Sequence, residues 1–177
     1  MNQLINTRFS KLEDSRLALI ESLKMKLPPV LETSPAIGKW SVSQIFYHLN
    51  KAESLSVIYV SKKKLDVNNL KRTGFKEQFM LKLFMFISAM PFNMKAPAVL
   101  GDVPDKVSYN EIIAEWAKTR NKMKELLESL PEDMLYKNVF KQPAIGRLNI
   151  LQMLYFMQAH FDRHQKQVER IIAKRSA

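Results

Sequence analysis

Residues Trp40–Leu49 read W-S-V-S-Q-I-F-Y-H-L, and they set both where a helix begins and which way it faces. Ser41 followed three residues later by Gln44 is the pattern of a capping box. In that motif each side chain bonds the other residue's backbone N–H at the helix start. Ile45, His48, Leu49, Ala52, Leu55 and Tyr59 then recur at three- and four-residue spacing. One stripe of this helix is therefore apolar and faces a core, with a single imidazole set into it.

Three further amphipathic segments flank this one. Leu4–Lys26 carries Phe9, Leu12, Leu17, Ile20 and Leu23 and is stopped by Pro28 and Pro29. Ser108 with Glu111 forms a second capping box, followed by Ile112, Trp116, Met123, Leu126, Leu127 and Leu130 before Pro131. Asn149 with Gln152 caps a last helix after Gly146, whose stripe holds Met153, Met157, His160, His164, Val168 and Ile171. Helices two and three are joined by about forty residues, long enough to cross a bundle or to supply a lid or pocket wall. That connection holds a basic cluster, a short helix near Phe75–Met90 expected to be buried or partly buried, and a Pro-rich loop over 91–107. A shorter connection, 131–148, contains Pro143 and Gly146. With no repeat and no break in composition, 1–177 reads as a single all-α domain.

Composition narrows the chemistry. The chain has 177 residues, 46% of them hydrophobic and 25% charged, which suits a globular core. Only four glycines are present, which argues against a β-sandwich or a Gly-loop nucleotide site. Cysteine is absent, so disulfides, thiolate metal sites and cysteine nucleophiles are excluded, and a cytoplasmic setting is expected. The longest apolar run, Phe79–Met90, contains Lys82 and ends at Pro91, so no membrane span is expected. The start of the chain lacks the apolar core of a signal peptide. A net charge of +11 gathers in Lys62, Lys63, Lys64, Lys71, Arg72, Lys76 and Lys82, against Asp66 and Glu77, and again in Arg163, Lys166, Arg170, Lys174 and Arg175. Neither cluster interleaves aromatics for base stacking, so nucleic acid is not an expected partner and the charge reads as a solvated surface.

The three histidines carry the functional reading. His160 and His164, spaced i, i+4, project from one helix face, and His48 lies on another apolar stripe. The pair lacks the glutamate of an H-E-x-x-H motif, and a lone imidazole on an apolar stripe is commonly a hydrogen-bonded core residue. Taken together, three imidazoles at faces where helices meet need partners, and one divalent cation would supply all of them. Three protein ligands leave a coordination position open, the arrangement of a catalytic site.

The segments W-S-V-S-Q-I-F-Y-H-L (Trp40–Leu49) and Q-A-H-F-D-R-H-Q-K-Q (Gln158–Gln167) resemble the second and last helices of the DinB/YfiT-like superfamily, and the likeness spans about residues 5 to 173. The resemblance implies a four-helix bundle with a long crossover between helices two and three. It also implies a divalent metal, zinc or nickel, held by His48, His160 and His164, and a homodimer. Better-understood members are transferases and isomerases that use bacillithiol, mycothiol or glutathione. Having no thiol of its own, this chain would need such a small molecule as co-substrate.

Three neutral imidazoles leave an ion's charge to act on whatever fills the open position, a thiol or a water. The expected reaction is transfer of a low-molecular-weight thiol to an electrophilic small molecule, with metal-dependent hydrolysis as the competing reaction. A non-enzymatic, stress-related protein with a structural metal and a basic nucleic-acid-binding module are the alternatives outside enzymology. Around the site, Gln44, Asn50 and Glu53 are near in sequence, but Glu53 lies five residues past His48, poorly placed for a direct contact. Asp162 reads as a surface acid, and no general base is assigned. Tyr47, Tyr59, Trp116, Tyr155 and Phe156 are candidates to line a pocket, though most of them read as core aromatics, and Met123, Met153 and Met157 read as gap-fillers.

Overall fold

The computed structural model describes residues 1–63, 70–89, 102–142 and 145–176. Its helices are α1 (Gln3–Leu23), α2 (Pro28–Glu32), α3 (Val42–Lys63), α4 (Phe75–Ala89), α5 (Tyr109–Glu128) and α6 (Ile150–Ser176). A 3-10 turn at Glu132–Tyr136 leads to a two-stranded antiparallel hairpin, β1 (Phe140–Gln142) and β2 (Gly146–Leu148).

Four helices form the bundle, α3 packing on α5 and α6, and α1 packing on α6 and α5. The all-α reading holds, with the hairpin as a small addition inside the 131–148 connection. Gly146 makes that turn possible: its φ of 104° is a conformation few side chains tolerate. Pro143, noted in the same connection, lies outside the described residues.

Each expected cap is present. Ser41 N–H donates to Gln44 Oε1 at 2.8 Å and Gln44 N–H donates back to Ser41 Oγ at 3.1 Å. Asn149 and Gln152 exchange the same pair of bonds at 3.1 and 2.9 Å. Glu111 N–H donates to Ser108 Oγ, so α5 makes the serine half of its box. The caps matter because α3 and α6 carry the histidines, and a fixed first turn fixes the angular position of every later residue.

Two details depart from the sequence reading. In α1 the buried stripe is Ile5, Phe9, Leu12, Arg16, Leu19 and Leu23, while Leu17 points outward at 50% exposure. Pro28 and Pro29 do more than end α1. They open the short helix α2, where a missing N–H leaves no bond unmade. The helix read as buried or partly buried, α4, is partly buried: it lies on α6 and leaves Phe75, Phe79 and Phe86 exposed.

The crossover from α3 to α5 is pinned at its start. Thr73 N–H donates to the Tyr136 carbonyl at 2.9 Å, Asn138 N–H to the Lys71 carbonyl at 2.8 Å, and Thr73 Oγ1 to Asn138 Oδ1 at 2.8 Å. Lys64 and Asp66 of the basic cluster, and residues 91–101 of the loop proposed as a lid, lie outside the described residues.

Candidate metal centre

The buried face of α3 carries His48, and α6 carries His160 and His164 one turn apart. Where α3 meets α6 the three rings converge, one nitrogen from each lying within 4.8 Å of the others. His48 Nε2 and His160 Nε2 are 3.1 Å apart, and the ring centroids are separated by 4.8 to 5.1 Å. His48 and His164 are buried, and His160 is half-buried.

Neighbours orient each ring. Gln167 Oε1 sits 3.0 Å from His164 Nδ1. A carboxamide oxygen only accepts, so His164 Nδ1 carries the proton and Nε2 keeps a free lone pair. That is the arrangement expected when a second residue fixes the tautomer of a ligating histidine. The Trp40 ring stands 5.0 Å from His48, and Phe156 stacks on His160 at 5.9 Å with only 7° between planes.

The electrostatics favour neutral imidazoles. Removal from water lowers the His48 pKa to about 4. For His160 removal from water, then the nearby His164, His48 and Arg163, push the pKa well below 6.5. His164 falls to about 4 through removal from water and the neighbouring His48, with a smaller contribution from Arg163 and partial opposition from the Gln167 bond. Three neutral imidazoles facing one point present unshared lone pairs that ring–ring bonding alone cannot satisfy. His48 and His160 can share at most one N–H···N bond, which leaves His164 Nε2 unmatched. Ligands about 2 Å from a tetrahedral zinc stand roughly 3.3 Å apart, so a small contraction of the cluster accommodates a divalent ion. The residues present fit the group.

Beyond the rings lies a charged layer. Glu53 is buried and accepts from Trp116 Nε1 and Arg120 Nε at Oε2 and from a terminal Arg120 nitrogen at Oε1, each at 2.7 Å. Glu13 Oε2 stands 3.6 Å from Arg120 and also pairs with Arg16. Glu53 thus bonds α5 rather than a histidine. It shares with Ser56, Met157, Phe156 and His160 a cavity of about 10 Å³, room for about one water. Gln44 is occupied by its cap and by the Pro104 carbonyl, and Asn50 Oδ1 is buried without a partner among the described residues. Asp162 is exposed and accepts from Gln158, as a surface acid would.

Trp116 is fully buried as expected of a core aromatic, whereas Tyr47, Tyr59, Tyr155 and Phe156 are half-buried. The residues missed from sequence are Gln167, Trp40 and Phe156 in their contacts with the rings. Gln167 had a readable signal, since it follows His164 by three residues on the same helix. Trp40 precedes the helix, and its reach to His48 depends on how the chain enters α3.

No protein of curated function matches the chain at significant similarity. The chain is similar to TT2238, a four-helix bundle protein whose crystal structure superposes with a TM-score of 0.56 at 18% identity, over 94% of this chain and 98% of that one. At that identity the likeness speaks for the fold alone. The DinB superfamily model matches residues 9–168, a stretch that includes His48, His160 and His164. The chain belongs to the DinB superfamily.

Proposed function

We propose that His48, His160 and His164 hold a divalent metal ion, zinc or nickel, and that the protein is a metal-dependent transferase of a low-molecular-weight thiol to an electrophilic small molecule. The observation that carries the reading is the convergence of three imidazole nitrogens within 4.8 Å, with the His164 tautomer set by Gln167. When bound, such an ion would supply a Lewis-acidic centre that lowers the pKa of a coordinated thiol or water.

This chain's own residues position that centre. Trp40 and Phe156 pack against the His48 and His160 rings and hold them in place. Gln167 holds the proton on His164 Nδ1 and so leaves Nε2 as the donor. The lowered histidine pKa values mean that the donors need lose no proton near neutrality. With no cysteine in the chain, the thiol must arrive as a co-substrate.

Metal-dependent hydrolysis is the second reading. The one-water cavity bordered by His160, Ser56 and Glu53 favours it, being too small for a larger ligand. A cytoplasmic homodimer remains part of the proposal on family grounds.

The test is elemental mass spectrometry of protein prepared without a histidine tag, beside the His160→Ala/His164→Ala double variant. Near-stoichiometric zinc or nickel, lost in a variant that keeps its helical circular dichroism, supports the site. Thiol consumption against a panel of electrophiles, compared with ester hydrolysis, then separates the two reactions. Failure of the wild type to take up either metal after reconstitution would overturn both.

A further inference from the structure

One helix of this protein is apolar on both sides. Inwardly α4 buries Leu81 and packs the half-buried Met80, Phe84 and Met85 against the core. Outwardly it exposes Phe75 at 91%, Phe79 at 66%, Phe86 at 62%, Leu83 at 40% and Ile87 at 37%. Their spacing places them on one stripe. A contiguous stripe of three phenylalanines and two aliphatic residues marks a surface meant to be covered.

Charge indicates what covers it. Lys76 and Lys82 flank the stripe, and Lys71 and Arg72, also exposed, lie just before the helix. Among the described residues of α4 the one acid is Glu77, which is half-buried and accepts the Gly74 N–H at 3.0 Å. A second copy docked through the same stripe would bring Lys76 and Lys82 against the lysines of its mate, with the half-buried Glu77 the one acid among the described residues of α4. The face is not self-complementary.

The other side of α4 repeats the bias. Met85 borders a groove of about 320 Å³ into which α1 contributes Arg8 and Lys11 and α6 contributes Arg163 and Lys166, against the single acid Asp162. Arg8 lies 4.2 Å over the Tyr155 ring, which holds its charge at the groove. With Lys71, Arg72, Lys76 and Lys82 exposed beside the stripe itself, its occupant must offer apolar depth and anionic groups together. An anionic bilayer does both: acyl chains receive the phenylalanines, and headgroups meet the lysines.

We propose that α4 is a peripheral membrane anchor, which lays its Phe75–Phe79–Phe86 stripe into the headgroup–acyl boundary of an anionic lipid bilayer. This binding is independent of the histidine centre. No described helix is long and apolar enough to cross a membrane, so the contact is one of surface docking.

The experiment is flotation of the full chain with vesicles of phosphatidylcholine alone, and of phosphatidylcholine with an equal part of phosphatidylglycerol. The protein is expected to float with the anionic vesicles only and to be released by high salt. Phe79→Ser/Phe86→Ser should weaken vesicle affinity about tenfold or more, with helical circular dichroism and metal content unchanged. Phe75→Ser serves as a milder second variant should the double one fail to fold, and is expected to weaken binding in the same direction. Failure of the wild type to bind anionic vesicles would overturn the proposal, as would equal binding to neutral ones. So would affinity unchanged in a folded stripe variant, or a dimer in gel filtration that the stripe variants convert to monomer.

Discussion

Gln167 gives His164 a defined chemical state, because its carbonyl oxygen accepts the Nδ1 proton at 3.0 Å and leaves Nε2 free. Without it the imidazole would exchange tautomers, and only one of the two presents the lone pair to the cluster. Removing such a support typically costs a factor of ten or more in metal affinity. Gln167→Ala is accordingly expected to weaken zinc or nickel binding about tenfold, read by competition with a chromophoric chelator, while the helical content stays unchanged. An affinity equal to wild type would show that the bundle alone orients His164. Phe156 illustrates a limit of reading residues singly. It is half-buried like many core aromatics, and its 7° stacking on His160 and its place on the small cavity set it apart.

At the scale of elements, α3 and α5 are joined through a charge that the apolar stripes conceal. Glu53 is buried beside Trp116 and Arg120, and its two oxygens accept three N–H groups. A buried ion pair adds modest stability against an apolar replacement, yet breaking one partner leaves the other charged and desolvated. Glu53→Gln is expected to destabilise the fold by about 3 kcal/mol, measured as a shift in urea midpoint. Glu13, 3.6 Å from the Arg120 guanidinium, offsets part of that loss. A shift below about 1 kcal/mol would mean that Glu13 takes over the pairing.

For the whole molecule the histidines tie stability to pH. Burial lowers the pKa of His48 and of His164 from 6.5 to about 4, and that of His160 also falls. The unfolded chain therefore binds protons that the folded one refuses. Stability of the metal-free protein is full above the unfolded value and declines as pH falls toward 4. The slope is roughly 1.4 kcal/mol per pH unit for each histidine. Urea midpoints of metal-free protein from about pH 8 to about pH 4 should trace this decline. Replacement of His160 and His164 by alanine should flatten it. A wild-type profile that is already flat would show that the three rings are hydrated in the folded state.

How much of this was legible beforehand depends on the range of each interaction. The caps at Ser41, Ser108 and Asn149 and the stripes they launch are local, governed by backbone N–H groups within one turn and by helical periodicity. Those local rules determined the four bundle helices and placed His48, His160 and His164 on packing faces. They failed where the burial of a residue depends on a distant partner. Leu17 continues the apolar pattern yet faces solvent, and Arg16 breaks it yet is buried beside Glu13. The outward side of α4 is as apolar as its inward side, so composition alone could not say that one of them is exposed among the described residues. The sequence by itself determined the helices and the histidine-bearing faces. Only the tertiary structure decided that α3 and α6 meet at the height where three imidazole nitrogens come within 4.8 Å, because the register between two helices rests on packing far apart in the chain.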